Sequence, residues 1–171
     1  ADFASSSGPH SFYTPKTNGL SSVDVSAVKD PKGQWTTDPK ALWHYLDALM
    51  EFNTFEISIP SLRDPSLSPK GQSALIVSTL FDYGLVKHIQ DLGLMDEFKR
   101  RMTESILKAM RTLWPSLKDS VLHTNLSTPL TIKNRTNAHE GSVTGWSFSN
   151  NPFPVETQFL RVSKAVKTEF K

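Results

Sequence analysis

An alternating strand is predicted for the stretch Thr54-Phe55-Glu56-Ile57-Ser58-Ile59-Pro60. Its apolar residues Phe55, Ile57 and Ile59 occupy every second position, so they point to one face of a sheet while the polar residues point to the other. This pattern is typical of a half-buried strand. The sequence therefore predicts a sheet with one apolar face.

Helices are predicted on both sides of this strand. The first begins at Asp38, a good N-cap residue, with Pro39 at the first helical position, and it ends between residues 50 and 53. The second runs from about residue 96 to residue 113, where apolar residues recur at helical spacing. Pro115 ends this second helix, because the residue before a proline is pushed out of helical geometry.

Further short strands are predicted along the chain. Residues 73 to 80 read as a more central strand, antiparallel to the strand at 54 to 60, and residues 61 to 71 form the link between them. Weaker patterns predict strands at residues 23 to 28, 120 to 126, 143 to 148 and 157 to 162. Because helices and strands do not alternate strictly, we expect an α+β fold, with a mixed or antiparallel β-sheet covered by two or three helices.

The length of 171 residues suits one domain, or one domain with a long arm. Residues 1 to 37 are rich in small and polar residues, and we interpret them as a loop-rich arm with short strands. Residues 38 to 171 are interpreted as an α+β domain.

Composition makes several classes of function improbable. The chain has 19 basic and 17 acidic residues and no concentrated basic face, so no nucleic-acid partner is expected. It has no cysteine, and its five histidines lack the i, i+4 spacing of a metal site, so no metal is expected. No serine lies in a nucleophile elbow, and neither a P-loop nor a G-x-G-x-x-G motif is present.

Three blocks carry more specific information, and they follow one another in the chain. The first is residues 59 to 71, with Pro60-Ser61 and Asp64-Pro65-Ser66-Leu67-Ser68-Pro69-Lys70-Gly71. The second is the helix at 96 to 113 with the proline after it. The third is Thr128-Pro129-Leu130-Thr131-Ile132-Lys133-Asn134-Arg135-Thr136-Asn137-Ala138-His139-Glu140-Gly141-Ser142-Val143-Thr144-Gly145-Trp146.

In this order the blocks resemble the phytoene-desaturase-like, amine-oxidase-related FAD-dependent oxidoreductases, over about residues 55 to 161. Ser68 replaces the usual Ala, and Val162 replaces the usual Pro after Phe159-Leu160-Arg161. The resemblance implies a substrate-binding domain, which shapes a channel for an apolar, isoprenoid-like substrate during desaturation, saturation or isomerisation of C=C bonds.

The resemblance also implies what lies outside this chain. FAD is expected in the full-length protein, bound by an FAD-binding domain of the same polypeptide, while this chain alone is expected to hold no cofactor and to be inactive. No stretch of about 18 apolar residues is present. The full enzyme is expected in the cytoplasm, with peripheral membrane association.

Candidate site residues come from two sources, and none is assigned a catalytic role. By resemblance, the residues near substrate or flavin are Thr128, Pro129, Gly141, Ser142, Gly145 and Trp146. By strand face, the candidates for an apolar lining of the substrate channel are Phe55, Ile57, Ile59, Leu75, Val77 and Phe148. The alternative is that these side chains belong to the hydrophobic core. The glycines at 141 and 145 either let backbone approach a ligand closely or mark a β-bulge.

A competing interpretation treats the chain as a small α+β module that works without flavin and binds a lipid or a protein partner. The sequence that flanks residues 1 and 171 in the full gene distinguishes the two. A glycine-rich strand-turn-helix upstream and a glycine-rich segment downstream would identify the flavoenzyme.

Overall fold

The computed structural model of the chain describes residues 8–143. The chain divides into two compact units, Ala1–Gly141 and Ser142–Lys171, and every helix and strand described below belongs to the first. Among the described residues the fold is α+β, as the sequence predicts, with a three-stranded antiparallel sheet and four α-helices. These elements are β1 His10–Tyr13, α1 Pro39–Phe52, β2 Phe55–Ser58, β3 Ile76–Thr79, α2 Tyr83–Asp91, α3 Met95–Leu113 and α4 Pro129–Thr136.

The sheet has the order β1-β2-β3, with antiparallel pairing on both sides of β2. Phe55 lies opposite Tyr13 of β1 and Thr79 of β3. The strand predicted at 54 to 60 and its antiparallel neighbour are confirmed. The prediction that this neighbour is the more central strand is wrong, because β1 from the N-terminal arm pairs with the other side of β2 and leaves β3 at an edge.

Helix α1 confirms the predicted boundaries. The carboxylate of Asp38 accepts a hydrogen bond from the backbone N–H of Lys40 at 3.0 Å, and Pro39 occupies the first turn, where its missing N–H leaves no donor unpaired. The helix ends at Phe52, and Asn53 is extended. Leu42, Leu46 and Met50 lie on its buried face.

Helix α3 also confirms its prediction, since it begins at Met95 and ends at Leu113. Its buried side chains are Phe98, Met102 and Met110, which belong to the predicted stripe. Helices α2 and α4 were not predicted. They have nine and eight residues, and α4 has no buried residue, so neither gives a long apolar stripe.

One hydrophobic core joins the sheet to the helices. It combines apolar side chains of β2, α1, α2 and α3 with two residues that follow α3. They are Phe55, Ile57, Leu42, Leu46, Met50, Leu85, Val86, Ile89, Phe98, Met102, Met110, Trp114 and Leu117. The sheet therefore has its inner face toward the helices, and His10, Phe12, Glu56, Ser58, Ile76 and Ser78 lie on the outer face.

Two weaker strand predictions are wrong. Residues 20 to 27 form 3-10 turns, and the carboxylate of Asp24 accepts the N–H of Ser26 at 2.9 Å, which favours a turn over an extended strand. Residues 120 to 126 are irregular. The strand predicted at 157 to 162 lies outside the described residues, and so does the one at 143 to 148 except for Val143.

Candidate functional site

Residues 128–141, here called the α4 unit, contain three of the residues that the resemblance places near substrate or flavin. Thr128 is buried and caps α4, because its Oγ1 accepts the N–H of Thr131 at 3.2 Å. Thr131 Oγ1 accepts the N–H of Thr128 at 3.2 Å in return, which completes a capping box. Pro129 follows at the first helical position. The start of this helix is therefore determined by side chains within four consecutive residues.

The end of the α4 unit turns back through residues with left-handed backbone. Asn137 ends the helix with a φ of 58°, and its N–H donates to the carbonyl of Lys133 at 2.8 Å. Glu140 and Gly141 follow with φ angles of 49° and 66°. Left-handed backbone in a residue other than glycine is uncommon, except at asparagine and aspartate. The surrounding contacts therefore hold Glu140 in a conformation that it would not favour alone.

Gly141 is buried against the first residue of the same helix. A Cβ built on Gly141 would lie 1.9 Å from the carbonyl oxygen of Pro129. The missing side chain therefore makes room for the backbone of Pro129. The β-bulge interpretation of Gly141 is wrong, since the residue lies in a 3-10 turn, His139–Gly141.

The α4 unit is joined to α2 by a pair of polar side chains that the sequence did not indicate. Lys133 Nζ donates to the hydroxyl of Tyr83 at 3.0 Å and lies 5.0 Å from the centre of the same ring. Both side chains are half-buried. The two residues are 50 positions apart, so no local pattern could have connected them.

The remaining candidates of the resemblance lie at or beyond the end of the described chain. Ser142 is exposed. Gly145 and Trp146 lie outside the residues that the structure describes, as does Phe148 of the lining group. The structure thus brings together Thr128, Pro129 and Gly141.

Of the lining candidates that the structure describes, Phe55, Ile57 and Val77 belong to the sheet, while Ile59 and Leu75 lie directly beside its strands. Phe55, Ile57 and Ile59 are 0%, 1% and 1% exposed, so their side chains are core in this unit. Leu75 and Val77 are half-buried and pack against the same core. None of these five side chains presents a large accessible surface to a ligand.

The first resemblance block forms two consecutive 3-10 turns, Pro60–Leu62 and Pro65–Leu67. Asp64 caps the second turn by accepting the N–H of Ser66 at 3.0 Å and its hydroxyl at 2.7 Å, and these bonds lower the pKa of the Asp64 carboxyl. Leu67 is 60% exposed at the end of this turn. The block therefore presents an apolar side chain on a well-defined turn.

An open groove of about 400 Å³ runs beside α3, between Lys99, Arg100, Thr103 and Glu104 of the helix and residues 124–126. Arg100 donates to Glu97 at 2.7 Å and to Glu104 at 2.8 Å, so its charge is already paired. A groove with this polar lining does not suit a long apolar substrate, which requires an apolar wall.

Two further findings concern the described part of the chain. None of its helices combines the length and apolar character needed to cross a bilayer. Within residues 8–143, no three potential metal-ligating side chains of His, Asp or Glu come together as a group.

No protein-family model, curated protein or solved structure matches this chain. The resemblance to the flavoenzymes therefore rests on the residues and their order alone.

Proposed function

We propose that this chain is the substrate-binding domain of an FAD-dependent oxidoreductase of the phytoene-dehydrogenase-like type. Its substrate would be apolar and isoprenoid-like, and the reaction would be desaturation, saturation or isomerisation of C=C bonds. The observation that carries the proposal is the α4 unit. The backbone of that unit depends on three residues that also carry the resemblance, namely Thr128, Pro129 and Gly141.

The proposal is supported because the matched residues act together within one short piece of backbone. Thr128 supplies the cap, Pro129 starts the helix, and Gly141 fits only because it has no Cβ. Asn137, also part of the motif, adopts the left-handed conformation that ends the helix. The motif thus describes a particular closed piece of backbone.

In the proposal this chain does not bind the phosphates of FAD. The sequence has no glycine-rich loop that leads into a helix, and such a loop is the usual cradle for a pyrophosphate. In the proposal FAD is held by another domain of the same polypeptide. When bound there, it supplies the hydride chemistry, while the present chain contributes substrate binding and the exclusion of water.

Leu67 in the first resemblance block offers an exposed apolar contact on a capped turn. Asp64 caps that turn, so the backbone that carries Leu67 is well defined although its side chain is not part of the core. An exposed leucine on a fixed turn can bury against an apolar ligand at little cost in conformational entropy. We therefore assign Leu67 to the substrate-facing surface. The full enzyme would be cytoplasmic, with peripheral membrane association and no nucleic-acid partner.

Paired substitutions in the full-length enzyme test this assignment. Leu67→Asp should raise the KM for an apolar polyene substrate roughly tenfold. The variant removes the leucine side chain that the bound substrate would bury, and it adds a charge to an apolar contact. Leu122→Asp changes a leucine of similar exposure that lies outside the three blocks, so it should leave KM unchanged. Equal effects of the two variants would contradict the role of Leu67. An enzyme without bound flavin would contradict the function itself and favour the flavin-independent module.

A further inference from the structure

Strand β3 is an open edge within the described part of the chain. Ile76–Thr79 pairs with β2 on one side, and no described strand pairs with its other side. Residues 73 to 81 contain no charged residue, no proline and no glycine. Natural proteins usually protect such an edge with a charge, a proline or a bulge, because it can otherwise pair with another strand. Apart from its length of four residues, β3 has none of these devices, so its edge can accept a partner strand.

The side chains on the outer face of β3 have a spacing that suits pairing with itself. Ile76 is 52% exposed, Leu80, the first residue after β3, is 76% exposed, and the small polar residue Ser78 lies between them. Pairing through Leu80 extends the strand by one residue. Val77 and Thr79 point to the other face, where they are half-buried. The apolar residues are therefore placed symmetrically about Ser78.

We propose that β3 pairs antiparallel with β3 of a second copy of this chain, with Ser78 opposite Ser78 of the partner subunit. In this register Ile76 lies opposite Leu80 of the partner subunit, and the same contact forms a second time across the two-fold axis. Directly opposite residues lie on the same face of a sheet, so both exposed apolar side chains of each copy are covered. The described strands of the two copies form one continuous six-stranded sheet.

A second copy fits this edge because a two-fold interface must be complementary to itself. The strand carries no charge, so its antiparallel copy introduces no like-charge contact. The ladder is short, and the interface is correspondingly small, so the dimer should be weak and dependent on concentration. The proposal does not depend on flavin binding.

Sedimentation equilibrium of this chain over a range of concentrations tests the proposal, with far-UV circular dichroism as a check on folding. The unmodified chain should form a discrete dimer. Ile76→Lys and Leu80→Glu should each raise the dimer dissociation constant by at least about tenfold, because each removes two apolar contacts across the axis. An equimolar mixture of the two variants should dimerise more tightly than either alone, since the introduced lysine and glutamate then lie opposite one another.

The matched control is Phe12→Lys. Phe12 is 67% exposed and lies on the same outer face, but on the opposite edge strand β1, so its replacement should leave the dimer intact. Hydrogen exchange of the unmodified chain gives an independent measurement. Successive amides of an antiparallel strand point to opposite neighbours, so those of residues 76–79 that point away from β2 should gain protection as concentration rises. A monomer at every concentration, open-ended aggregates, or equal dissociation by Phe12→Lys would overturn the proposal. If the equimolar mixture dimerises no more tightly than either variant alone, the proposed register is wrong.

Discussion

The carbonyl oxygen of Pro129 occupies the space that a side chain of residue 141 would need, at 1.9 Å from the position of a Cβ. The first turn of α4 and the end of the α4 unit are thus packed backbone against backbone. This contact closes the unit, and it explains why the motif that begins with Thr128-Pro129 requires glycine at position 141.

Replacement of Gly141 by alanine should destabilise the protein by roughly 3 kcal/mol, from left-handed backbone together with a steric clash. Gly93→Ala is the matched control, because Gly93 has a similar φ of 72° and no atom within 4 Å of a Cβ built on it. The control should cost only about 1 kcal/mol. Denaturant unfolding of both variants measures the difference, and equal losses would show that the contact with Pro129 is unimportant.

Loss of the Thr128 cap should weaken the same unit. Thr128→Ala removes the hydroxyl that accepts the N–H of Thr131, and it should lower the free energy of unfolding by about 1 kcal/mol. Thr128→Ser keeps the hydroxyl and should stay close to the unmodified protein. Thermal melts of the pair give the test, and the capping role would be refuted by a serine variant as unstable as the alanine variant.

The buried side chain of Asn53 links the end of α1 to the end of β3. Its Nδ2 donates to the carbonyl of Leu80 at 2.9 Å, and its Oδ1 accepts the N–H of Thr54 at 2.9 Å. Asn53→Ala leaves both backbone groups without this partner and should cost about 1–3 kcal/mol. Asn125→Ala, at an exposed position, should change stability by less than about 0.5 kcal/mol. Similar values for the two variants, in denaturant unfolding, would contradict the account.

Acidification should destabilise helix α3, because it protonates the carboxylate of Glu97. Hydrogen bonds from Arg100 and Arg101 lower the pKa of Glu97 from its ordinary value of 4.5 to about 2. Because the pKa is lower in the folded state, the stabilisation is complete above the unfolded pKa and is lost as pH falls from about 4.5 to about 2. The effect should be modest, since these groups are exposed to solvent.

Melting temperatures measured between about pH 5 and about pH 2 provide the test of this window. Glu97→Gln should show a smaller loss on acidification than the unmodified protein. Asp96→Asn removes a neighbouring carboxylate from the same first turn and should retain the original loss. If Glu97→Gln follows the unmodified curve, the pairing with the two arginines does not contribute.

The elements predicted correctly are those whose signals are local. Helix α1 has its N-cap and proline side by side, and β2 and α3 have regular apolar periods. Strand β1 was missed because four residues carry little pattern, and its pairing depends on β2, which lies more than 40 positions later. That pairing makes β2 the central strand among the described residues, so the strand order could not be predicted from β3 alone.

The candidate site also combines features that depend on adjacent residues with features that depend on residues far apart in the sequence. The cap at Thr128 and the helix start at Pro129 depend on adjacent residues, although helix α4 was not predicted. The contact of Gly141 with Pro129 and the pair of Lys133 with Tyr83 depend on chain reversal and on packing between helices. The core position of Phe55 and Ile57 depends on the helices that pack against them, which strand alternation does not specify.

Absorption spectroscopy of the full-length polypeptide tests the central claim most directly. The polypeptide should be purified in its folded state, and its spectrum recorded before and after denaturation, with this chain alone as the control. The account predicts flavin bands in the full-length protein, release of FAD on denaturation, and no saturable FAD binding by this chain, which lacks a phosphate-binding loop. A folded full-length protein that contains no flavin and takes up none when FAD is added would contradict the account.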